Sequence, residues 1–294
     1  MLQVDSVTKT YGGRVALSEV SFNVGDGRIT GFVGANGAGK TTTMRIILGV
    51  LSADSGTVRL GGAALTSDDR RIFGYMPEER GLYPKMKVAE QITYFGRLHG
   101  MTVRDATAST SSLLERLDLA ARSNDTVDSL SLGNQQRAQI AAALVHKPEV
   151  LVLDEPFSGL DPLGVDSVLT VLREAASDGA PVLFSSHQLD LVERLCDDLV
   201  IIANGEIRAS GSREQLRRQH GHDRYELDVD GDLGWLRQVP GVTVVDFDGG
   251  HALFETADAA VAQSVLKRAV ADGAVQRFAP QHPSLAQIFR EVIQ

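Results

Sequence analysis

Apolar and polar positions change rhythm several times along the chain, and each change marks an element. Residues 2–9 alternate as a half-buried strand, Gly12-Gly13 makes a turn, and residues 15–24 continue as a second strand closed by Gly25-Asp26-Gly27. An apolar strand over 28–34 runs into a glycine-rich loop, and residues 41–50 take helical spacing that stops at Gly49. A hairpin-like piece follows at 55–62. From about 85 to 147 the pattern is helical, in segments 89–100, 108–120 and 134–147. Strand character returns at 149–156, helix at 164–179, strand at 181–187 and helix at 188–198, which puts Cys196 on a helix beside Leu195 as a packing residue. Asn204-Gly205 between two apolar runs signals a hairpin over 198–211. Strands alternating with helices predict an α/β fold with a largely parallel sheet, plus antiparallel strands at the start and a helical insertion.

A polar stretch at 212–223 reads as a short helix and linker, after which the pattern restarts. Strands are expected at 224–230, 242–247, 251–256 and 274–279, with helices at 231–240, 257–273 and 284–293. That order, β-α-β-β-α-β with a tail helix, predicts a small ferredoxin-like α+β domain over 224–294. The segment shows no glycine-rich loop and no cluster of metal ligands, and Trp235 and Phe289 read as core anchors. Two domains, 1–211 and 224–294, suit a chain of 294 residues.

Composition narrows the functional classes. Apolar residues make up 43% and charged residues 23%, enough for a sizeable core, while a net charge of −9 argues against broad contact with nucleic acid. The single cysteine, Cys196, has no partner for an internal disulfide, which fits a reducing compartment. The opening MLQVDSVTKT lacks the pattern of a secretory signal, and no apolar run approaches the roughly 20 residues that span a bilayer.

Two motifs carry chemistry. GANGAGKTT, Gly34 to Thr42, fills every fixed position of G-x-x-x-x-G-K-[ST] between an expected strand and an expected helix. Gly34, Gly37 and Gly39 permit positive φ and close backbone approach, so that N–H groups, those of Asn36 and Ala38 among them, face phosphate oxygens. The helix after them adds its positive end, Lys40 a point charge on the β and γ phosphates, and the Thr41 hydroxyl a ligand for Mg²⁺, with Thr42 beside it. VLVLDEP ends an apolar strand in Asp154 and Glu155 at the sheet edge where that loop sits. Asp154 is the expected Mg²⁺ partner through water, and Glu155 the general base for the attacking water. Together the motifs call for a nucleoside triphosphate and Mg²⁺ as the expected cofactors.

LSLGNQQR, Leu130 to Arg137, completes a set that resembles the ABC ATPases over roughly residues 1–211. It looks like that family's signature, usually L-S-G-G-Q, with Leu132 and Asn134 replacing a glycine and the glutamine. Ser131 lies 91 positions after Lys40 and 23 before Asp154, as the family pattern requires. The resemblance implies a P-loop NTPase core of ABC type with an antiparallel β subdomain and a helical subdomain. It also implies that Ser131 and Gly133 meet the γ-phosphate held by an opposite subunit. Tyr11 falls where a ring stacks on adenine, although a tyrosine at a strand end packs as readily. Ser158, Gly159, Leu160 and Asp161 resemble the D-loop of the dimer interface, and His187 the switch histidine. Glu78 stands where the family commonly has glutamine; a carboxylate there still ligates Mg²⁺ but adds negative charge near the phosphates.

MPEERGLYP, LSLGNQQR and the C-terminal PSLAQIFREVI resemble the branch serving drug-resistance and related export systems. The stretch Arg80 to Gln91 lies where that family docks a short helix of its membrane partner; Leu82, Tyr83, Pro84, Met86 and Val88 suit such a groove or an ordinary core. The resemblance thus implies a homodimer, or a pair with a similar ATPase chain, held by an integral permease on the cytoplasmic side of the cell membrane. A soluble ABC ATPase not coupled to transport, regulatory or nucleic-acid-associated, is the alternative, although the insertion at 85–147 is compact rather than a long coiled coil. Regulation, dimer support and partner docking all fit residues 224–294.

Overall fold

The computed structural model of the chain describes residues 1–66, 68–79, 81–220, 224–256, 258–281 and 284–293. The chain divides into two compact units, Met1–Arg213 and Glu214–Gln294.

In the first unit, β1 (Leu2–Tyr11) and β2 (Arg14–Val24) form a hairpin around Gly12 and Gly13, whose φ angles of 54° and 85° need no Cβ to be accommodated. Then come β3 (Ile29–Val33), α1 (Lys40–Ile47), β4 (Ser55–Leu60) and β5 (Ala63–Ala64). Strands β2-β1-β4-β5, in that order, make a four-stranded antiparallel sheet. The chain goes on through β6 (Phe73–Met76), α2 (Val88–Leu98), α3 (Val103–Arg116), α4 (Leu132–Leu144), β7 (Val150–Leu153), α5 (Pro162–Ser177), β8 (Val182–Ser186), α6 (Leu189–Leu195), β9 (Asp198–Ala203) and β10 (Glu206–Ser212).

The second sheet has six strands in the order β10-β9-β3-β8-β7-β6, parallel except for the β10 edge. Every residue of β3, β7 and β8 is buried, as expected of parallel strands covered on both faces, and this is why their sequences run apolar without alternation. Because β3, β6, β7 and β8 point the same way, the loops leaving their carboxyl ends gather at one edge.

α3 starts on a Thr102 cap that accepts the Asp105 N–H at 3.1 Å, and α5 on an Asp161 cap that accepts the Gly164 N–H at 2.8 Å, with Pro162 opening the helix. α4 is buried on most sides: Ala138, Ile140, Ala141, Ala143 and Leu144 pack, and Gln136 and Gln139 go in with them. At the ends of α2 and α4 the rings of His99 and His146 stack, centroids 3.6 Å apart and 10° from parallel. His99 Nδ1 meets the Arg71 carbonyl at 3.0 Å and His146 Nε2 the Phe73 carbonyl at 3.2 Å, so the pair ties both helix ends to the start of β6.

The helix expected over 188–198 stops at Leu195. Asp197 exchanges hydrogen bonds with Ile29, its N–H to the Ile29 carbonyl and its carboxylate from the Ile29 N–H, both at 2.9 Å, which pulls the chain straight into β9. Cys196 therefore sits in extended backbone just past the helix, buried against Gly31, where burial pushes its thiol pKa up.

α7 (Arg213–His220) fills most of the segment read as a linker; residues 221–223 lie outside the described residues. The second unit then has β11 (Arg224–Val229), β12 (Thr243–Asp248), β13 (His251–Glu255), α8 (Ala259–Asp272), β14 (Val275–Gln281) and α9 (Leu285–Ile293). Its antiparallel sheet has the order β12-β13-β11-β14, which is the ferredoxin-like order. The first expected helix is only a 3₁₀ segment, Gly234–Gln238, since Gly231 and Gly234 on one side and Pro240 on the other leave no room for a second turn. Leu227, Leu233, Leu236, Phe254 and Val265 form the core. Trp235 and Phe289 are half-buried rather than central; the Arg268 guanidinium lies 4.2 Å over the Trp235 ring, and Ile288 is the buried neighbour of Phe289. Contrary to the sequence reading, a trio of metal-ligand types does assemble: Glu226, Asp228 and His251 bring donor atoms within 4.8 Å on one sheet face. They are already partnered there, His251 with Asp228 at 2.5 Å and Glu226 with Arg277 at 3.2 Å.

Candidate active site

The glycine-rich loop leaves β3 and enters α1 directly. Gly34 has no positive φ, contrary to the reading of the sequence; what it requires is space, since a Cβ there would lie 2.4 Å from the Ile202 carbonyl oxygen. Gly37 and Gly39 do turn through positive φ, 78° and 113°. Gly39 is the N-cap of α1 without a side chain to cap it, so the first N–H groups of the helix are left for a ligand. Asn36 and Gly37 are exposed and Ala38 is buried. Lys40 is only 7% exposed and curls back, its Nζ donating to the Gly34 and Ala35 carbonyls at 2.7 and 3.2 Å. Those two contacts hold a cation over the loop at the point where phosphate oxygens would accept from it. Thr41 and Thr42 follow, both partly buried.

Across the sheet edge, Asp154 ends β7 and is 2% exposed. Its Oδ2 accepts from the Thr41 hydroxyl at 3.0 Å and its Oδ1 from the Ser185 hydroxyl. Thr41 and Asp154 thus form an adjacent pair of hard oxygen donors, which fits Mg²⁺ rather than a softer metal. Glu155 is buried beside them. Desolvation raises its pKa, and the hydrogen bond to His187 opposes that, with Nδ1 2.9 Å from Oε1. His187 itself is largely exposed. Thr41, Asp154, Ser185, Glu155 and His187 therefore form one hydrogen-bonded run linking the ends of β3, β7 and β8, with Lys40 near enough to add its charge to Glu155.

The signature and D-loop residues lie together in a second cluster. Ser131 caps α4, its hydroxyl accepting the Asn134 N–H at 3.3 Å, and Asn134 Oδ1 in turn accepts from Arg137. Leu132 is 56% exposed at the start of the helix. A Cβ on Gly133 would lie 3.1 Å from the Gly159 carbonyl oxygen, so glycine is what lets the signature touch the D-loop. Ser158 N–H bonds back to the Glu155 carbonyl at 3.2 Å, Gly159 turns at φ 74°, Leu160 packs beside Gly133, and Asp161 caps α5.

Two expected residues are not drawn into either cluster. Glu78 is exposed, and among the described residues its carboxylate has no hydrogen bond or ion pair. Tyr11 is half-exposed at the end of β1, with Lys9 Nζ 5.7 Å from its ring centroid. A groove of about 920 Å³ lies elsewhere, at the opposite ends of β7 and β8 beside Pro148, Glu149 and Pro181.

Three polar residues of the site escaped the sequence reading: Ser185, Gln136 and Gln139. Gln136 Nε2 donates to the Glu155 carbonyl at 2.9 Å, and Gln139 Nε2 to the Pro77 carbonyl at 2.7 Å. Gln136 lies inside LSLGNQQR, so the motif offered a signal for it; a serine inside an apolar strand offered none.

Comparison with known proteins gives the family. Residues 17–158 match the ABC transporter family, and residues 211–293 match the C-terminal domain of DrrA1-3-like ATP-binding proteins. The uncharacterized ABC transporter ATP-binding protein YhaQ of Bacillus subtilis (strain 168) is 38% identical over 293 residues, covering 100% of this chain and 98% of that protein. Daunorubicin resistance ATP-binding protein DrrA3 of Streptomyces coeruleorubidus is 32% identical, with 98% and 94% covered. A solved ATP-binding subunit of an ABC transporter superposes with a TM-score of 0.70 at 32% identity, covering 75% of this chain and 93% of that one. The chain belongs to the ATP-binding subunits of ABC transporters and carries a DrrA-like C-terminal domain. Among the described residues no helix is long and apolar enough to cross a membrane.

Proposed function

We propose that this chain binds and hydrolyses Mg-ATP as a dimer, with itself or with a similar ATPase chain, and so drives export through a separate membrane permease. The observation that carries the reading is the hydrogen-bonded run from Thr41 through Asp154 to Glu155 and His187, placed beside a helix N-terminus and a buried lysine. Thr41, and Asp154 through water, would hold Mg²⁺, which would supply charge neutralisation at the phosphates. Lys40 exchanges its loop carbonyls for phosphate oxygens, and the free N–H groups of α1 orient the same group. Glu155, with its carboxylate aimed by His187, accepts a proton from the attacking water. Ser131 is exposed and Gly133 is partly buried against the D-loop, a placement that suits closure on a nucleotide held by a second copy. Domain limits of 1–211 and 224–294 accompany this reading.

Export rather than another use of ATP is favoured by the drug-resistance name of DrrA3, which matches nearly the whole chain. The permease contact is assigned to residues 81–91; Arg80, the first residue of the expected stretch, lies outside the described residues. There the buried Gln91 side chain accepts the Tyr83 N–H at 2.7 Å and donates to its carbonyl at 3.1 Å, leaving the Tyr83 ring 57% exposed. ATPase rate against protein concentration, with Glu155→Gln alongside and light scattering for mass, tests the reading. A per-molecule rate that rises with concentration and a silent mutant that dimerises in ATP support it. A wild type that fails to bind ATP, or a mutant that hydrolyses normally, removes it.

A further inference from the structure

Glu155 is a non-glycine residue with φ 52°, in the left-handed region that side chains with a Cβ enter at a cost. Five other described non-glycine residues have positive φ: Ser6, Glu19, Asp118, Lys147 and Asn204. All five are exposed; Glu155 alone of the six is buried. Its backbone is held at both ends by side chains. The Glu155 N–H donates to the Ser185 hydroxyl at 2.9 Å, and the Glu155 carbonyl accepts from Gln136 Nε2 at 2.9 Å. Ser185 is fully buried, so the Glu155 N–H has no water as a substitute partner; the Glu155 carbonyl also accepts the Ser158 N–H at 3.2 Å, and Gln136, 6% exposed, adds the contact that reaches α4.

We propose that Ser185 and Gln136 are positioning residues that clamp the Glu155 backbone in its left-handed turn and thereby aim its carboxylate at the attacking water. The proposal rests on Glu155 as general base, the role assigned above. Ser185 does two things with one hydroxyl: it accepts the Glu155 N–H and donates to Asp154 Oδ1, so the two acids are oriented together. Gln136 adds a mechanical link. It sits on α4 five residues after the Ser131 cap, so the helix that presents the signature to a second subunit also holds the backbone of this subunit's own base. A shift at the Ser131 end moves Glu155 directly.

The test is steady-state turnover of the full chain carrying Ser185→Ala, Gln136→Met or Ser185→Thr, beside wild type and Glu155→Gln, with Mg-ADP affinity and melting temperature measured on each. Misplacing a reacting group by about 1 Å costs roughly 100-fold, and a kcat loss of about that size is expected for Ser185→Ala and Gln136→Met. In Gln136→Met, KM and Mg-ADP affinity should stay within about twofold, because ground-state binding does not use Gln136, whereas Ser185→Ala also frees Asp154 Oδ1 and should weaken the Mg²⁺-dependent part of ADP binding as well. Ser185→Thr keeps the hydroxyl and should recover most of the turnover. Unchanged kcat in both clamp variants, or a threonine variant as slow as the alanine one despite folding normally, overturns the clamp while leaving the role of Glu155 intact. Wild-type turnover in Glu155→Gln overturns that role first and the clamp with it.

Discussion

The Thr41 hydroxyl and Asp154 Oδ2 meet at 3.0 Å although 113 positions separate them in the chain. They join the start of α1 to the end of β7, with β8 lying between β3 and β7 in the sheet. With Ser185 holding the other carboxylate oxygen, Asp154 presents one fixed oxygen beside the threonine, a geometry suited to a hard divalent ion.

Asp154→Asn keeps the shape of that contact and removes the charge. Turnover should fall by at least about 100-fold, as when a positioned electrostatic partner is lost. Nucleotide affinity measured in EDTA should be nearly unchanged, while the Mg²⁺-dependent gain in affinity disappears. Titration calorimetry with and without Mg²⁺ separates the two.

Glu78 tests the same electrostatics from farther out. Its carboxylate is exposed and unpartnered among the described residues, so Glu78→Gln removes a negative charge without breaking a contact. The Mg²⁺ concentration for half-maximal ATPase should rise several-fold, about what one charge contributes near a surface. Unchanged Mg²⁺ dependence, rate and transport would count against a role for this position.

The His99–His146 stack makes a pH prediction for the first unit. Burial first, and the neighbouring His99 second, bring the His146 pKa down to about 4 from 6.5. Its Nδ1 is buried with no hydrogen-bond partner, so a proton there has nothing to donate to. In the folded chain the ring stays neutral while the unfolded chain takes up a proton, so the contribution is complete above pH 6.5. It declines as pH falls toward about 4 and is level below. The full span is at most about 3 kcal/mol, less because part of the ring meets water. Urea unfolding between pH 7 and 4 should show this slope in wild type and a shallower one in His146→Phe.

In the second unit Phe254 is fully buried, and Tyr225 stacks both on it and on Phe278, with centroids 5.6 and 5.4 Å away. Phe254→Ala should cost about 3–5 kcal/mol, the usual loss for an aromatic removed from a packed core. Faster amide exchange across β11 and β13 is the readout.

Much of the architecture was legible because its causes are local. The run VLVLDEP shows a strand buried on both faces, and the loop from Gly34 to Thr41 is forced by how backbone N–H groups must surround phosphate. Ser131 was legible as a cap because capping is a local hydrogen bond. Ser185 was not, since its meaning comes from partners 30 and 31 positions away that only sheet pairing brings close. The end of α6 was misread for the same reason: Asp197 answers to Ile29, on another strand. In the small unit, alternation gave the strands correctly, but the first helix was shortened by Gly231, Gly234 and Pro240, whose combined effect depends on the space between two strands. The trio Glu226, Asp228 and His251 forms only through the pairing of β11 with β13.

The seat of the glycine-rich loop is made from late parts of the chain. The Gly205 N–H donates to the Ala38 carbonyl at 3.0 Å, the Gly205 carbonyl accepts the Ser18 N–H at 2.8 Å, and Ile202 lies directly under Gly34. Ribosomal synthesis delivers the loop early and its support more than 150 residues later. Leu17, Ala16 and Asp154 also touch the loop and the start of α1, but the floor under Gly34 and the Ala38 carbonyl comes from Ile202 and Gly205. The shape of the loop is therefore a joint product of the two ends of the first unit, and a change in the β9–β10 hairpin reaches residues 34–39 without touching them.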